Sequence, residues 1–252
     1  MSSGVIRYAR AVSINDPNSP GDKNFEISRA DRTKIMSQLG IGKNQDMICL
    51  IEGENEEVVV DRDRYDGVET KSAAFVIFAC RSASYTIEAK FAKIFVLDCS
   101  KISVTLSPSC KVFTQYFEMT KCADTSVSIQ TRICTIQADQ TTDCRIEVHD
   151  NCFGNEKMFN IGRNFGEDGM LVWVHCSNLD FWVGKENTKC DFATEKRKNP
   201  DIEKSMTQFS VHFKSHKLMT KMLVPQGNGY VVKNNLAKEA MDILVEDSSE
   251  ED

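Results

Sequence analysis

The chain has 252 residues, a formal net charge of −6 and a hydrophobic fraction of 41%. That length allows one large domain or two small ones, with enough apolar side chains for a core. The acidic balance excludes a basic nucleic-acid footprint, and no apolar run is long enough for membrane insertion.

Residues 1–45 read as a polar N-terminal extension containing Gly4, Pro17, Pro20 and Gly21. It has room for one short helix from Arg29 to Leu39, entered by Ser28 and ended by Gly40. The first strands follow, Met47 to Ile51 and Val58 to Val60, around a turn at Gly53-Glu54-Asn55. Asp61 to Lys71 is charged and reads as a loop.

From residue 73 to 149, and again from Met170 to Val183, one phrase repeats. It is a cysteine, four residues, an apolar residue, one residue, and a second apolar residue. Cys80 leads to Tyr85 and Ile87, Cys99 to Val104 and Leu106, Cys122 to Val127 and Ile129, and Cys176 to Phe181 and Val183. Cys144 opens a shortened copy with Ile146 and Val148. The intervals between these cysteines are 19, 23, 22 and 32 residues. Short alternating strands precede them, as in Phe75-Val76-Ile77-Phe78 and Ile94-Phe95-Val96-Leu97. A period near twenty built of short strands is the mark of a solenoid, whose turns are stable only when stacked. The predicted fold is therefore all-β: a right-handed parallel β-helix with a C-terminal β-hairpin and short terminal helices.

The glycine- and asparagine-rich segment 150–168 reads as a loop excursion, and 184–204 as a charged surface connection. Ser210 to Leu223 reads as two strands turning at Lys214-Ser215, within a terminal hairpin over 205–223. Residues 224–252 read as an acidic tail, with Leu236, Ala240, Ile243 and Leu244 at helical spacing in a helix over 234–245.

Cysteine at a solenoid corner has a simple physical reading. The inside of a sharp bend admits a small apolar side chain, and free cysteine behaves as one. Cys80, Cys99, Cys122, Cys144 and Cys176 are thus expected to be reduced core thiols. No Cys-x-x-Cys pair occurs, so the spacing does not fit a zinc site. The N-terminal residues lack a secretory leader pattern, and reduced thiols suit a cytoplasmic location. His175 precedes Cys176, but strand alternation sends neighbours to opposite faces, so a nucleophilic pair is not expected. No phosphate-binding glycine loop is present. The residues imply no cofactor, no metal and no enzymatic activity.

Three segments carry a resemblance. They are Ala74 to Cys80 running on through Ile94 to Ser100, the stretch from Cys134 to Cys144, and the terminal set Gln208, Phe209, Phe213, Lys217, Leu218 and Thr220. Together they resemble the C-terminal β-helix domain of the cyclase-associated proteins, actin regulators also related to tubulin-folding cofactor C. The resemblance covers roughly residues 45–223 and places the domain at 46–223. It implies a partner, the actin monomer, with the ADP-bound form favoured. It further implies promotion of nucleotide exchange, a role in filament turnover within the actin cytoskeleton, and a homodimer formed by the hairpin. Basic outward residues Lys90, Lys93, Lys101 and Arg132 are candidate actin-facing positions, with Glu118 ranked below them because actin is acidic. Phe209, Phe213, Lys217, Leu218, Thr220 and Met222 are candidate dimer-hairpin positions. Two other readings of the same fold are a cofactor C-like adaptor or GTPase regulator, and a β-helix scaffold for a different protein. The former uses an arginine finger, and Gln137 stands at the matching strand position.

Overall fold

A computed structural model describes residues 6–8, 47–61, 71–149, 169–203, 207–214, 217–226 and 229–233. The predicted helices at 29–39 and 234–245 and the loop at 150–168 lie outside these residues.

The strands of successive coils stack in register. β2 (Met47–Ile51), β4 (Ala74–Phe78), β7 (Lys93–Leu97), β10 (Tyr116–Thr120), β12 (Thr135–Asp139) and β14 (Met170–Val174) form a parallel run. β3 (Glu57–Val60), β5 (Ser84–Ile87), β8 (Ser103–Leu106), β11 (Ser126–Ile129), β13 (Arg145–Val148) and β15 (Leu179–Val183) form a second. Short strands β6 (Lys90–Phe91) and β9 (Lys111–Val112) pair on a third side. The first sheet has ten strands, because β1 (Ile6–Tyr8) adds in parallel at one edge and the terminal strands add at the other. This is the all-β parallel β-helix that the repeat predicts.

Alternation explains the core. In the second sheet Val58, Tyr85, Val104, Val127, Ile146 and Phe181 form one inward row. Val60, Ile87, Leu106, Ile129, Val148 and Val183 form the next. The facing row of the first sheet is Leu50, Ile77, Val96, Met119, Ala138 and Trp173. Each side chain packs against the same position one coil away, as the strand period of two requires.

The corners between the sheets share one conformation. Two left-handed residues stand three apart: Glu52 and Asn55, Ala79 and Ser82, Asp98 and Lys101, Lys121 and Asp124, Gln140 and Asp143, His175 and Asn178. Only Asn and Asp adopt positive φ with ease among these types, so the others carry a cost of about 1–2 kcal/mol each. Hydrogen bonds to the next coil offset it: Ala79 N–H donates to Leu97 O at 3.0 Å, Asp98 N–H to Thr120 O at 3.0 Å, and Lys121 N–H to Asp139 O at 2.9 Å.

Segment 184–204 departs from the expected surface connection. It holds a strand, β16 (Glu186–Cys190), antiparallel to β15, and a helix, α1 (Phe192–Lys198). Gly184 (φ 59°) and Lys185 make a two-residue hairpin loop. Asp191 caps α1, its carboxylate accepting from Thr194 N–H at 2.7 Å, and Lys196, Arg197 and Lys198 occupy the last turn. Cys190 and Ile202 are buried and Phe192 packs on the core, so this segment closes the C-terminal end of the solenoid.

The terminal hairpin is β17 (Gln208–Lys214) and β18 (Lys217–Gln226), and β17 lies antiparallel on β14 of the same chain. A further strand, β19 (Gly229–Lys233), pairs with β18 and forms the last edge. β1 and β19 thus fall in the segments read as polar extension and acidic tail.

Candidate functional site

The corner thiols form the predicted ladder, with one correction. Register places Gly53, Cys80, Cys99, Cys122, Thr141 and Cys176 at equivalent positions, each one residue before a bridged pair in the row Glu54, Arg81, Ser100, Ala123, Thr142, Ser177. Cys144 is not in this ladder. It occupies the next inward position, level with Ala83, Ile102, Thr125 and Leu179. The copy that looks shortened from Cys144 has full length from Thr141, whose hydroxyl donates to Cys176 Sγ at 3.2 Å. All five predicted cysteines are buried and free.

Each ladder thiol donates to two carbonyls, one on its own strand and one on the coil before. Cys99 Sγ lies 3.3 Å from Leu97 O and 3.6 Å from Ile77 O; Cys122 Sγ lies 3.4 Å from Thr120 O and 3.6 Å from Val96 O. The neighbouring Cys99 thiol and burial push the Cys80 thiol far above its ordinary range, and burial raises that of Cys176 against the opposing hydrogen bond from Thr141. Buried and donating inward to backbone carbonyls, these thiols pack as small apolar side chains. Cys176 points inward to Ala138 O while His175 stands at the bend outside, with its Nδ1 3.9 Å from Asp139 Oδ1. The two are parted as alternation requires. At the first corner Gly53 replaces a thiol because the Tyr85 hydroxyl donates to Glu56 Oε1 at 2.8 Å in that space.

The outward faces are the surfaces a partner would meet. On the first sheet, β10 and β12 present a polar cluster. Tyr116 O–H donates to Glu118 Oε2 at 2.8 Å and lies 2.8 Å from Gln137 Oε1; Thr120 O–H donates to Glu118 Oε1 at 3.0 Å. Glu118, ranked last among the candidate actin-facing positions, is outward by register yet buried. Burial raises its carboxyl above the ordinary range, and the two hydroxyls only partly oppose that. Gln137 is held in this cluster rather than projecting as a finger.

On the second sheet, the outward face of β13 and β15 carries a pattern that the sequence reading did not single out. The Arg145 guanidinium lies 4.8 Å over the Trp182 ring, the Trp182 indole N–H donates to Asp180 Oδ2 at 2.7 Å, and Arg145 donates to Glu147 Oε2 at 2.9 Å. His149 Nε2 is 2.9 Å from Ser128 Oγ. The available signal was Trp182 itself, a large aromatic between the inward Phe181 and Val183. Exposed aromatic and arginine side chains on a rigid face are common anchors of protein interfaces.

The four basic candidates do not share one patch. Lys90 lies in β6 on the third side, and Arg132 lies in the β11–β12 connection. Lys93 opens β7, with its ammonium 5.5 Å from the Tyr116 ring. Lys101 is exposed at the opposite corner, between β7 and β8. In the hairpin, Phe209 is buried and stacks on Trp173 at 4.2 Å between ring centres. Phe213, Leu218 and Met222 are partly buried against the core, whereas Lys217 and Thr220 are exposed. Met219 is an exposed hydrophobic residue on the same strand. Among the described residues no three His, Cys, Asp or Glu side chains gather as a metal site, and no helix is long and apolar enough to cross a membrane.

The decisive comparison concerns the coils themselves. Residues 44–159 match the family model for the adenylate cyclase associated (CAP) C-terminal domain. Over these residues the chain is similar to the CAP C-terminal domain. The matched span takes in β2 to β13 and the Cys80, Cys99, Cys122 and Cys144 corners. β14 to β19, including the hairpin, lie beyond the matched residues. No curated protein matches the chain.

Proposed function

We propose that this CAP-like protein binds actin monomers, favours the ADP-bound form and promotes exchange of its nucleotide, and so supports filament turnover in the cytoplasm. The observation that carries the reading is the CAP C-terminal match over the stacked coils. The physical form of the proposal is population shift: a rigid platform that binds the open-cleft state of actin better than the closed one raises its occupancy. The β-helix suits this, because its outward side chains are held by stacked strands rather than by loops. Lys90, Lys93, Lys101 and Arg132 lie on separate sides, so one acidic partner meets only some of them, and Trp182 with Arg145 adds an aromatic anchor on the second sheet.

The same reading includes a homodimer. Exchange of β17 and β18 between two chains would reproduce the β14–β17 pairing across the pair, a low-cost route to a symmetric assembly. Phe209, Phe213, Leu218 and Met222 would then be the anchors.

The test is release of a fluorescent nucleotide from ADP-actin monomers with the full chain added at micromolar concentration. Acceleration of several-fold is expected, reduced by charge reversal at Lys101 or by Trp182→Ala. An unchanged release rate, with no binding by sedimentation, would reject the function.

A further inference from the structure

The third side of the solenoid is built by the returns from the second sheet to the first, residues 88–92, 107–115 and 130–134. Phe91, Val112 and Ile133 point inward and are buried. Alternation therefore turns Lys90, Lys111 and Arg132 outward. Lys90 and Lys111 are register partners in β6 and β9. On the next coil the Thr131 hydroxyl donates to Cys110 O at 2.6 Å, which sets Arg132 beside Lys111. The three cations thus form a column along the solenoid axis, one per coil.

This column costs the fold stability, because like charges directly opposite on neighbouring strands disfavour the pairing. The three returns hold one acidic residue, Glu88. Among the described residues none of the three cations has an ion pair, and Arg132 Nε is buried without a hydrogen-bond partner. Beside the column stands Phe113, 50% exposed. The backbone fixes its place: Phe113 N–H donates to Phe91 O at 2.9 Å, and the Thr114 hydroxyl donates to Ala92 O at 2.7 Å. Cations left unpaired within the chain, next to an aromatic ring held out of the core, have the composition of a protein-interface anchor.

An extended phosphate surface fits this strip poorly. A membrane or a nucleic acid would meet the net charge of −6 as well as a column one cation wide. A protein segment with a few carboxylates around an apolar side chain meets the strip alone. We propose that the third side is a docking strip for an acidic protein segment, whose carboxylates pair with Lys90, Lys111 and Arg132 and whose apolar side chain packs on Phe113. The strip is separate from Lys101 at the opposite corner and from Trp182 on the second sheet, so it is a second binding face and does not depend on the actin reading.

The test is fluorescence anisotropy of a fluorescein-labelled synthetic peptide, glutamates with interspersed leucines, titrated with the full chain. A peptide with glutamine in place of glutamate is the control. Saturable binding of the acidic peptide is expected, weakened by added salt. Lys111→Glu is expected to weaken it roughly tenfold and Phe113→Ser several-fold, while Lys101→Glu, the same charge change outside the strip, leaves it unchanged. Absence of binding, equal binding of the glutamine peptide, or equal loss in Lys101→Glu would overturn the proposal. A parent chain that ignores the peptide but sediments with phosphatidylserine vesicles, and loses them in Lys111→Glu, would assign the strip to a membrane and overturn it as well. If circular dichroism shows that Lys111→Glu has unfolded, the parent chain decides. Carbodiimide coupling of the acidic peptide to it, mapped by mass spectrometry, is expected at Lys90 and Lys111, and coupling confined to other lysines overturns the docking.

Discussion

Thr141 shows how little freedom a corner position has. Its methyl and hydroxyl fill the volume that a thiol fills at Cys99 and Cys122, and its hydroxyl finds Cys176 Sγ. The position accepts small side chains that can donate inward, and it has no room for longer ones. Cys122→Leu is expected to destabilise the protein by about 1–3 kcal/mol through overpacking, and Cys122→Ala by less, as read from urea denaturation midpoints. Equal tolerance of both would show that the bend is looser than the stacked carbonyl contacts indicate. Glu118 poses the opposite problem, a charge held on a buried outward face. Its folded carboxyl titrates above the ordinary value of 4.5, chiefly through burial. The folded state therefore holds the proton more tightly than the unfolded state, and stability falls as pH rises from about 4.5 through the raised folded value. Glu118→Gln, which stays neutral, is expected to raise the melting temperature at pH 7 and to lose that advantage in acid below the window. A gain that persists at pH 4 would show that the carboxylate charge is not the cause.

At the scale of elements, the terminal hairpin is where the solenoid meets either its own end or a second molecule. β17 covers β14, Phe209 stacks on Trp173, and yet β18 leaves Met219 40% exposed. If the hairpin mediates the proposed dimer, sedimentation of the intact chain gives twice 28.4 kDa, and Met219→Glu shifts it to 28.4 kDa at micromolar concentration with an unchanged circular dichroism spectrum. A parent chain that sediments at 28.4 kDa would end the dimer. The hairpin was legible because Phe209, Val211 and Phe213 alternate and Leu218 and Met222 face them in register. β16 was not, because Glu186, Asn187 and Lys189 offer no apolar alternation, and its inward anchor comes only at Cys190. The two-residue loop at Gly184-Lys185 was the overlooked cue. Helix α1 was hidden in a charged run, although Asp191 followed by Thr194 and a basic last turn is a start-and-stop pattern.

Across the whole molecule, the repeat in the sequence carried the architecture and its inward rows, because stacking forces equivalent residues to the same depth. It misplaced one register, since a chemically different residue, Thr141, can serve the ladder while Cys144 serves the position after it. The candidate surfaces were less legible. Whether an outward residue is wet depends on neighbours in other coils, as with Glu118 beneath Tyr116 and Thr120. The basic candidates were chosen by charge alone, and the coil geometry distributes them over separate sides.

The left-handed bends have a further consequence for biosynthesis. From the bend at Glu52 to the bend at Gln140, the first N–H finds its acceptor only at the end of the strand that follows, one coil later, as from Ala79 to Leu97 and from Lys121 to Asp139. A chain emerging from the ribosome therefore carries its newest bend unfastened until roughly twenty more residues have left the exit tunnel. Assembly advances one coil behind synthesis, and the nascent domain becomes most exposed to premature arrest wherever a long return delays the next rung, above all between Gln140 and Val174.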